Sequence, residues 1–188
     1  MAQTTKKALA ASLKKLMEEK PLDKITVVDL AEECEVNRQT FYYHFKDIYD
    51  LAEWVFTSET MKVVEENKSY DTWQEGYLYI FEYIRQNRRV MVNAYHSGAR
   101  EFLTKFLYEQ TYRLLIDVIE EKAQNIQVRE EDKSFIAQFY KYGFVGLVLD
   151  WIENGMKEKP EKIVERLGCL IEGDVSKALE RFCYAGKK

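Results

Sequence analysis

The sequence predicts an all-α fold, with a three-helix helix-turn-helix domain at the N-terminus and a longer helical domain behind it. Three observations carry this expectation. Only 2 Pro and 8 Gly occur in 188 residues, too few for a multi-stranded fold that needs many tight turns. The stretches Leu22 to Glu75 and Ala99 to Tyr142 contain neither residue. Apolar residues also recur at helical spacing in one segment after another. With 46% hydrophobic and 14% aromatic residues, the chain can fill a core as one compact domain or two small ones. The sequence divides at 1–46 and 47–188.

Taken in order, Thr5 to Lys20 places Leu9, Leu13, Leu16 and Met17 on one helical face, and Pro21 ends it. Thr26 can cap the next helix, with Asp29 as an acidic variant of the capping box and Ile25 and Leu30 as a hydrophobic staple. Asn37 supplies a second cap, flanked by Val36 and Phe41. Two caps this close leave room for one short helix, a tight turn and the start of another, which is a helix-turn-helix. Asp47 caps a longer helix bearing Leu51, Trp54, Val55 and Met61, with Trp54 and Val55 expected to bury against the C-terminal domain. Asn67 to Thr72 reads as a loop. Helices follow over Trp73 to Arg85, Arg89 to His96, Glu101 to Lys122, and Lys133 to Asn154 with Gly155 as its C-terminal stop. Pro160 suits the first turn of one last helix, which runs through Ile163, Leu167, Leu170, Ala178 and Phe182.

The stretch from Asn37 to Lys46 carries the chemistry. On a helix, Phe41 and Phe45 share a buried face, which turns Arg38, Gln39 and Tyr42 outward. Arg and Gln make bidentate contacts to guanine and adenine edges in the major groove. Tyr42, Tyr43, His44, Lys46 and the Thr26 hydroxyl suit the DNA backbone, which sets register rather than sequence. Thr40 offers a methyl to thymine or a hydroxyl to phosphate. Net charge is −4, but residues 1–46 carry +1 and the remainder −5, so the acidity lies outside this region.

The run from Ile25 through Leu51, with Thr26, Asp29, Ala31, Val36, Thr40, Phe41, Tyr42, His44, Phe45 and Leu51, resembles the DNA-binding signature of the TetR/AcrR family. Gly143-Phe144-Val145-Gly146 with Trp151 to Gly155 and Pro160-Glu161 is similar to that family's penultimate helix and the start of its last. Thr40 to Phe45 with Asp47 to Leu51 also resembles the branch that includes dihydroxyacetone-kinase regulators. The resemblance implies a homodimeric regulator of transcription on a palindromic operator, a repressor more often than an activator. It also implies a C-terminal domain for effector binding and dimerisation. In the narrower branch it leaves open an adaptor or activator controlled by a partner protein instead of a small molecule. Glu35 departs from the family, which usually has Gly in that turn; at positive φ, Glu costs roughly 1 kcal/mol relative to Gly.

An effector would meet aromatic bodies with polar tips, for which Tyr95, His96, Tyr112 and Tyr142 are the candidates. Gly143 and Gly146 lie on one helical face and let another backbone approach. With Leu147, Leu179 and Phe182 they would form a dimer face of two helices, doubled to a four-helix bundle. The alternative is packing within one chain. His44 and His96 have no partnered nucleophile, and no Gly-rich phosphate loop occurs, so no catalytic residues, metal site or cofactor are expected. The three cysteines have no metal-like spacing. No segment reaches the roughly 18 apolar residues of a membrane span, and the N-terminus does not read as a signal peptide. A cytoplasmic protein is the expectation.

Overall fold

The computed structural model describes residues 2–66, 72–171 and 173–183, with side chains of residue 2 and residues 59–66 left aside. Ten α-helices follow in order among the described residues: α1 Ala2–Glu19, α2 Val27–Glu33, α3 Arg38–His44, α4 Ile48–Glu66, α5 Trp73–Gln86, α6 Arg88–Tyr95, α7 Arg100–Ala123, α8 Glu130–Glu153, α9 Pro160–Ile171 and α10 Asp174–Phe182. One 3-10 turn, Leu22–Lys24, lies between α1 and α2. No helix is long and apolar enough to cross a membrane among the described residues. The all-α expectation holds. The loop expected at Asn67 to Thr72 falls outside the described residues except for Thr72.

The helices form two compact units, one of Met1–Glu59 with Gln86–Phe106, the other of Thr60–Arg85 with Leu107–Lys188. In the first unit, Leu9, Leu13, Leu30, Phe41 and Leu51 are fully buried. Thr26 and Asp29 close the expected capping box. The Thr26 hydroxyl accepts from the Asp29 amide at 3.2 Å, and the Asp29 carboxylate accepts from the Thr26 amide at 2.7 Å. The turn after α2 is a Schellman motif, with Val36 N–H donating to Ala31 C=O at 2.9 Å and Glu35 N–H to Glu32 C=O at 3.2 Å. Glu35 takes φ +54° there, the left-handed conformation expected from its position.

Residues distant in sequence hold the start of this unit. Asn93 on α6 donates its amide to the Met17 and Lys20 carbonyls at 2.9 and 2.7 Å and accepts from the Leu22 N–H at 2.8 Å. Those carbonyls lie at the end of α1, where helical partners run out. Asp23 accepts from the Gly98 N–H and the Tyr49 hydroxyl, both at 3.0 Å. That bond to Asp23 pushes the Tyr49 phenol above its ordinary range. Tyr49 stacks on Phe102 at 5.6 Å.

The second unit packs around Trp73, Tyr77, Phe81, Phe144 and Trp151, all buried. Tyr77 sits 4.7 Å from Phe144 and 5.1 Å from Phe81, centroid to centroid. Its hydroxyl donates to the Phe144 carbonyl at 2.6 Å, which satisfies the polar tip of a buried ring; burial pushes that phenol well above its usual range. Gly155 closes α8 at φ +76°, with Gly155 N–H to Ile152 C=O at 3.0 Å. One expectation fails here. The single last helix is two, because Gly173 adopts φ +74° and stops helical propagation between α9 and α10.

Candidate nucleic-acid interface

The candidate reading helix is α3. Its N-cap is Asn37, whose side-chain oxygen accepts from the Thr40 N–H at 2.9 Å, and it ends where Phe45 turns extended. Phe41 and Phe45 are buried, so the opposite face is committed to solvent. Arg38, Gln39, Tyr42 and Tyr43 are exposed on it, Tyr43 at 82%. Thr40 and His44 are half-buried, and the His44 ring meets Tyr43 edge-on at 4.9 Å. Lys46 lies exposed just past the helix, its backbone N–H held by the Asp50 carboxylate at 2.8 Å. Asp47 caps α4, accepting from the Asp50 N–H at 2.9 Å. These paired bonds fix the exit from α3 to the entry of α4.

Charge is distributed unequally around this helix. Lys15 pairs with Glu33 at 2.6 Å, and Lys20 with Asp29 at 2.9 Å. Lys20, followed by the Thr26 amide and hydroxyl, holds the Asp29 carboxyl down at about 2. The side chains of Arg38 and Lys46 meet no carboxylate among the described residues. The uncommitted cations therefore flank the exposed α3 face, as a polyanion requires. The Thr26 hydroxyl is exposed but also donates to Asp29 at 2.8 Å. Only its remaining lone pair and its position can serve a further contact.

Trp54 is not fully buried as expected. It is half-exposed and packs edge-on against Phe45 at 5.9 Å, with the Lys6 ammonium over both rings. Trp54 thus packs within the first unit; Val55 beside it is buried.

The four aromatic candidates for an effector divide between the units. Tyr95 is buried in the first, its hydroxyl accepting from Arg100 at 3.0 Å and its ring 4.3 Å from that guanidinium. His96 next to it is exposed, on a groove shared with Arg88 and Arg89. Tyr112 and Tyr142 come together in the second unit around the Lys141 ammonium. Sequence reasoning did not single out Lys141. It also missed Gln110 and Thr111 on α7, which are buried with no hydrogen-bond partner for their side chains among the described residues. Such groups cost stability until something pairs them. A cleft of about 450 Å³ opens between α5, α7 and α9, lined by Trp73, Leu115, Val118 and Gly168.

Of the residues expected at a dimer face, Gly143 and Gly146 lie open, with nothing within 4 Å of a Cβ built on either. Leu147 and Phe182 are exposed at 40% and 38%. Leu179 is fully buried in its own unit, so its side chain packs within the chain and has no surface to offer a partner. Phe135 and Phe139 on α8 are exposed at 60% and 68%, and Phe135 meets Phe182 on α10 at 6.3 Å. The spacing of 135, 139, 143 and 146 on one helix could have revealed this stripe.

Comparison with known proteins gives a consistent picture. Residues 8–55 match the model for bacterial regulatory proteins of the tetR family, and residues 71–173 match a transcriptional regulator C-terminal region. The HTH-type dhaKLM operon transcriptional activator DhaS of Lactococcus lactis subsp. lactis (strain IL1403) is 28% identical over 137 residues, 72% of each chain. A solved structure of a dihydroxyacetone kinase operon activator DhaS superimposes with a TM-score of 0.72 at 23% identity, over 95% of this chain and 98% of that one. NalD of Pseudomonas aeruginosa, the secondary repressor of the MexAB-OprM multidrug efflux pump, has a TM-score of 0.62 at 14% identity, with both chains fully covered.

Proposed function

The chain belongs to the TetR family of transcriptional regulators, and we propose that it acts as a homodimer whose α3 helices read a palindromic operator. The single observation behind this reading is the exposed Arg38-Gln39-Tyr42-Tyr43 face, backed by buried Phe41 and Phe45 and flanked by Arg38 and Lys46, which meet no carboxylate among the described residues. Arg38 and Gln39 read base edges. Tyr42, Tyr43, His44 and Lys46 hold the backbone, Thr26 lies beside it once its hydroxyl turns from Asp29, and Thr40 meets a thymine methyl. The dimer is supported by the stripe of Phe135, Phe139, Gly143, Gly146, Leu147 and Phe182, an apolar surface on two adjoining helices. Residues 1–46 are the DNA-contacting part and 47–188 the effector and dimerisation part. The protein works in the cytoplasm, where its free cysteines stay reduced.

For the sign of regulation, repression is the commoner expectation. The likeness to DhaS, named an activator in both comparisons, favours activation here. A small-molecule effector is supported by unpaired Gln110 and Thr111 in the second unit. A partner protein as sensor is a second reading, favoured by Leu170, which stands 70% exposed beside a groove of about 410 Å³. Selection of bound sequences from random DNA should return a palindrome. Transcription from that operator in a reconstituted system, with and without the protein, then gives the sign. Recovery of no enriched sequence would remove the reading.

A further inference from the structure

Lys141 on α8 directs its ammonium at three tyrosine rings: Tyr142 at 4.6 Å, Tyr108 at 5.1 Å and Tyr112 at 5.9 Å from the ring centroids. Tyr108 and Tyr112 lie one turn apart on α7, and Tyr142 meets Tyr108 edge-on at 5.3 Å. No carboxylate pairs with Lys141 among the described residues. The three rings are thus the partners this ammonium has. A cation within about 6 Å of an aromatic face is attracted by the ring quadrupole, and several faces converging on one point make a cage.

We propose that Tyr108, Tyr112 and Tyr142 form a binding site for a quaternary ammonium group, filled in the free protein by the chain's own Lys141. The preference follows from the chemistry of the walls. A primary ammonium is compact and strongly hydrated, with three N–H donors that need acceptors. Ring faces supply none. A quaternary ammonium has no N–H to satisfy and is more weakly hydrated, so it loses less on entering the same space. Lys141 sits at the end of a four-carbon stem with several free torsions. Holding it in the cage costs rotamer entropy, and release to solvent recovers that entropy.

The site lies beside the surface proposed for a second copy, since Tyr142 precedes Gly143 and is itself 57% exposed. It rests on the regulator reading only for its consequence at DNA. The ligand site itself stands on the ring geometry.

The test uses the full-length chain with choline as the probe. Binding is followed by calorimetry and by the NMR shifts of the tyrosine rings. Lys141→Gln, which removes the internal occupant, should bind choline about tenfold more tightly than the natural chain. Adding Tyr108→Leu or Tyr142→Ala to that variant should lose at least about that tenfold gain. Ethanolamine, with a primary ammonium, should bind several-fold more weakly than choline. Circular dichroism checks the fold of each variant, and ring shifts in the natural chain serve if Lys141→Gln is unstable. Absence of choline binding to both proteins, or binding indifferent to the tyrosines, overturns the site. Operator binding is measured in the same samples without choline. A chain that takes choline but no DNA overturns the regulator reading alone, and one that takes DNA but no choline overturns the cage alone.

Discussion

Glu35 occupies the left-handed position of the turn between α2 and α3 at φ +54°, where a Cβ crowds the backbone and glycine does not. Glu35→Gly should therefore stabilise the protein, by about 0.5–1 kcal/mol once glycine's extra unfolded-state entropy is subtracted. Thermal melting should show a rise of a few degrees; a fall would mean that the Glu35 side chain contributes more than its strain costs. Asp29 gives a pH dependence. Its folded pKa, about 2, lies below the ordinary value of about 3.9. Its contribution is complete above roughly pH 4 and is lost as pH falls through 2. Asp29→Asn should lower the melting temperature at pH 7 and remove that part of the acid transition. On α3, Gln39→Ala should relax specificity at one base pair at a cost of about 1–3 kcal/mol there. Lys46→Ala should weaken all sequences alike and flatten the salt dependence, and equal uniform losses would refute this division of roles. These residues were readable because their causes are local. A cap, its partner three residues on and a strained turn position all appear in one short window. The cage around Lys141 was half-readable, since Tyr112 and Tyr142 stood out singly but only packing of α7 on α8 brings them to one ammonium.

At the level of elements, the apolar spacing, caps and breaks marked α1 to α8 to within a few residues because those signals lie within each segment. Three features escaped. The 3-10 turn at Leu22–Lys24 depends on Asn93, far along the chain, to take up the Leu22 N–H. The break at Gly173 is invisible to periodicity, since a single glycine inside a helical pattern reads as a weak helical residue. Trp54 could face either way until Phe45 was in place. Asn93 gives the sharpest test of an element's anchoring. Asn93→Ala deletes three hydrogen bonds and leaves partly buried carbonyls unpaired, a loss of about 2–3 kcal/mol. Asn93→Asp keeps the acceptor for Leu22 but sets a carboxylate against the carbonyls of Met17 and Lys20, so it should be no better. Denaturant unfolding of the two variants measures both, and an Asp variant as stable as the natural chain would show that the donor side of the amide contributes nothing.

For the whole molecule, the proposed dimer rests on Phe135 and Phe139, exposed at 60% and 68%. Replacing both with Asp should leave the second unit folded, because neither ring lies in its core. It should also turn a dimer into single chains in light scattering and weaken operator binding by about 100-fold or more, as linked half-sites become independent. An unchanged dimer would place the interface elsewhere. Gly143, Gly146, Leu147 and Phe182 were read from the sequence, but Phe135 and Phe139 were missed for a physical reason: an exposed phenylalanine and a core one look alike until the core is seen to be full. The latch of Asn93 on the end of α1, and of Asp23 on Gly98 and Tyr49, also limits how such proteins can exchange parts. A gene recombination, or an engineered chimera, that carries over only residues 1–46 would leave Tyr49, Asn93 and Gly98 behind in the donor, and the transplanted head would arrive without the contacts that finish it. The transferable piece is two separate stretches of chain, 1–59 and 86–106, so a new operator preference is more readily acquired by substitutions on α3 than by a single crossover.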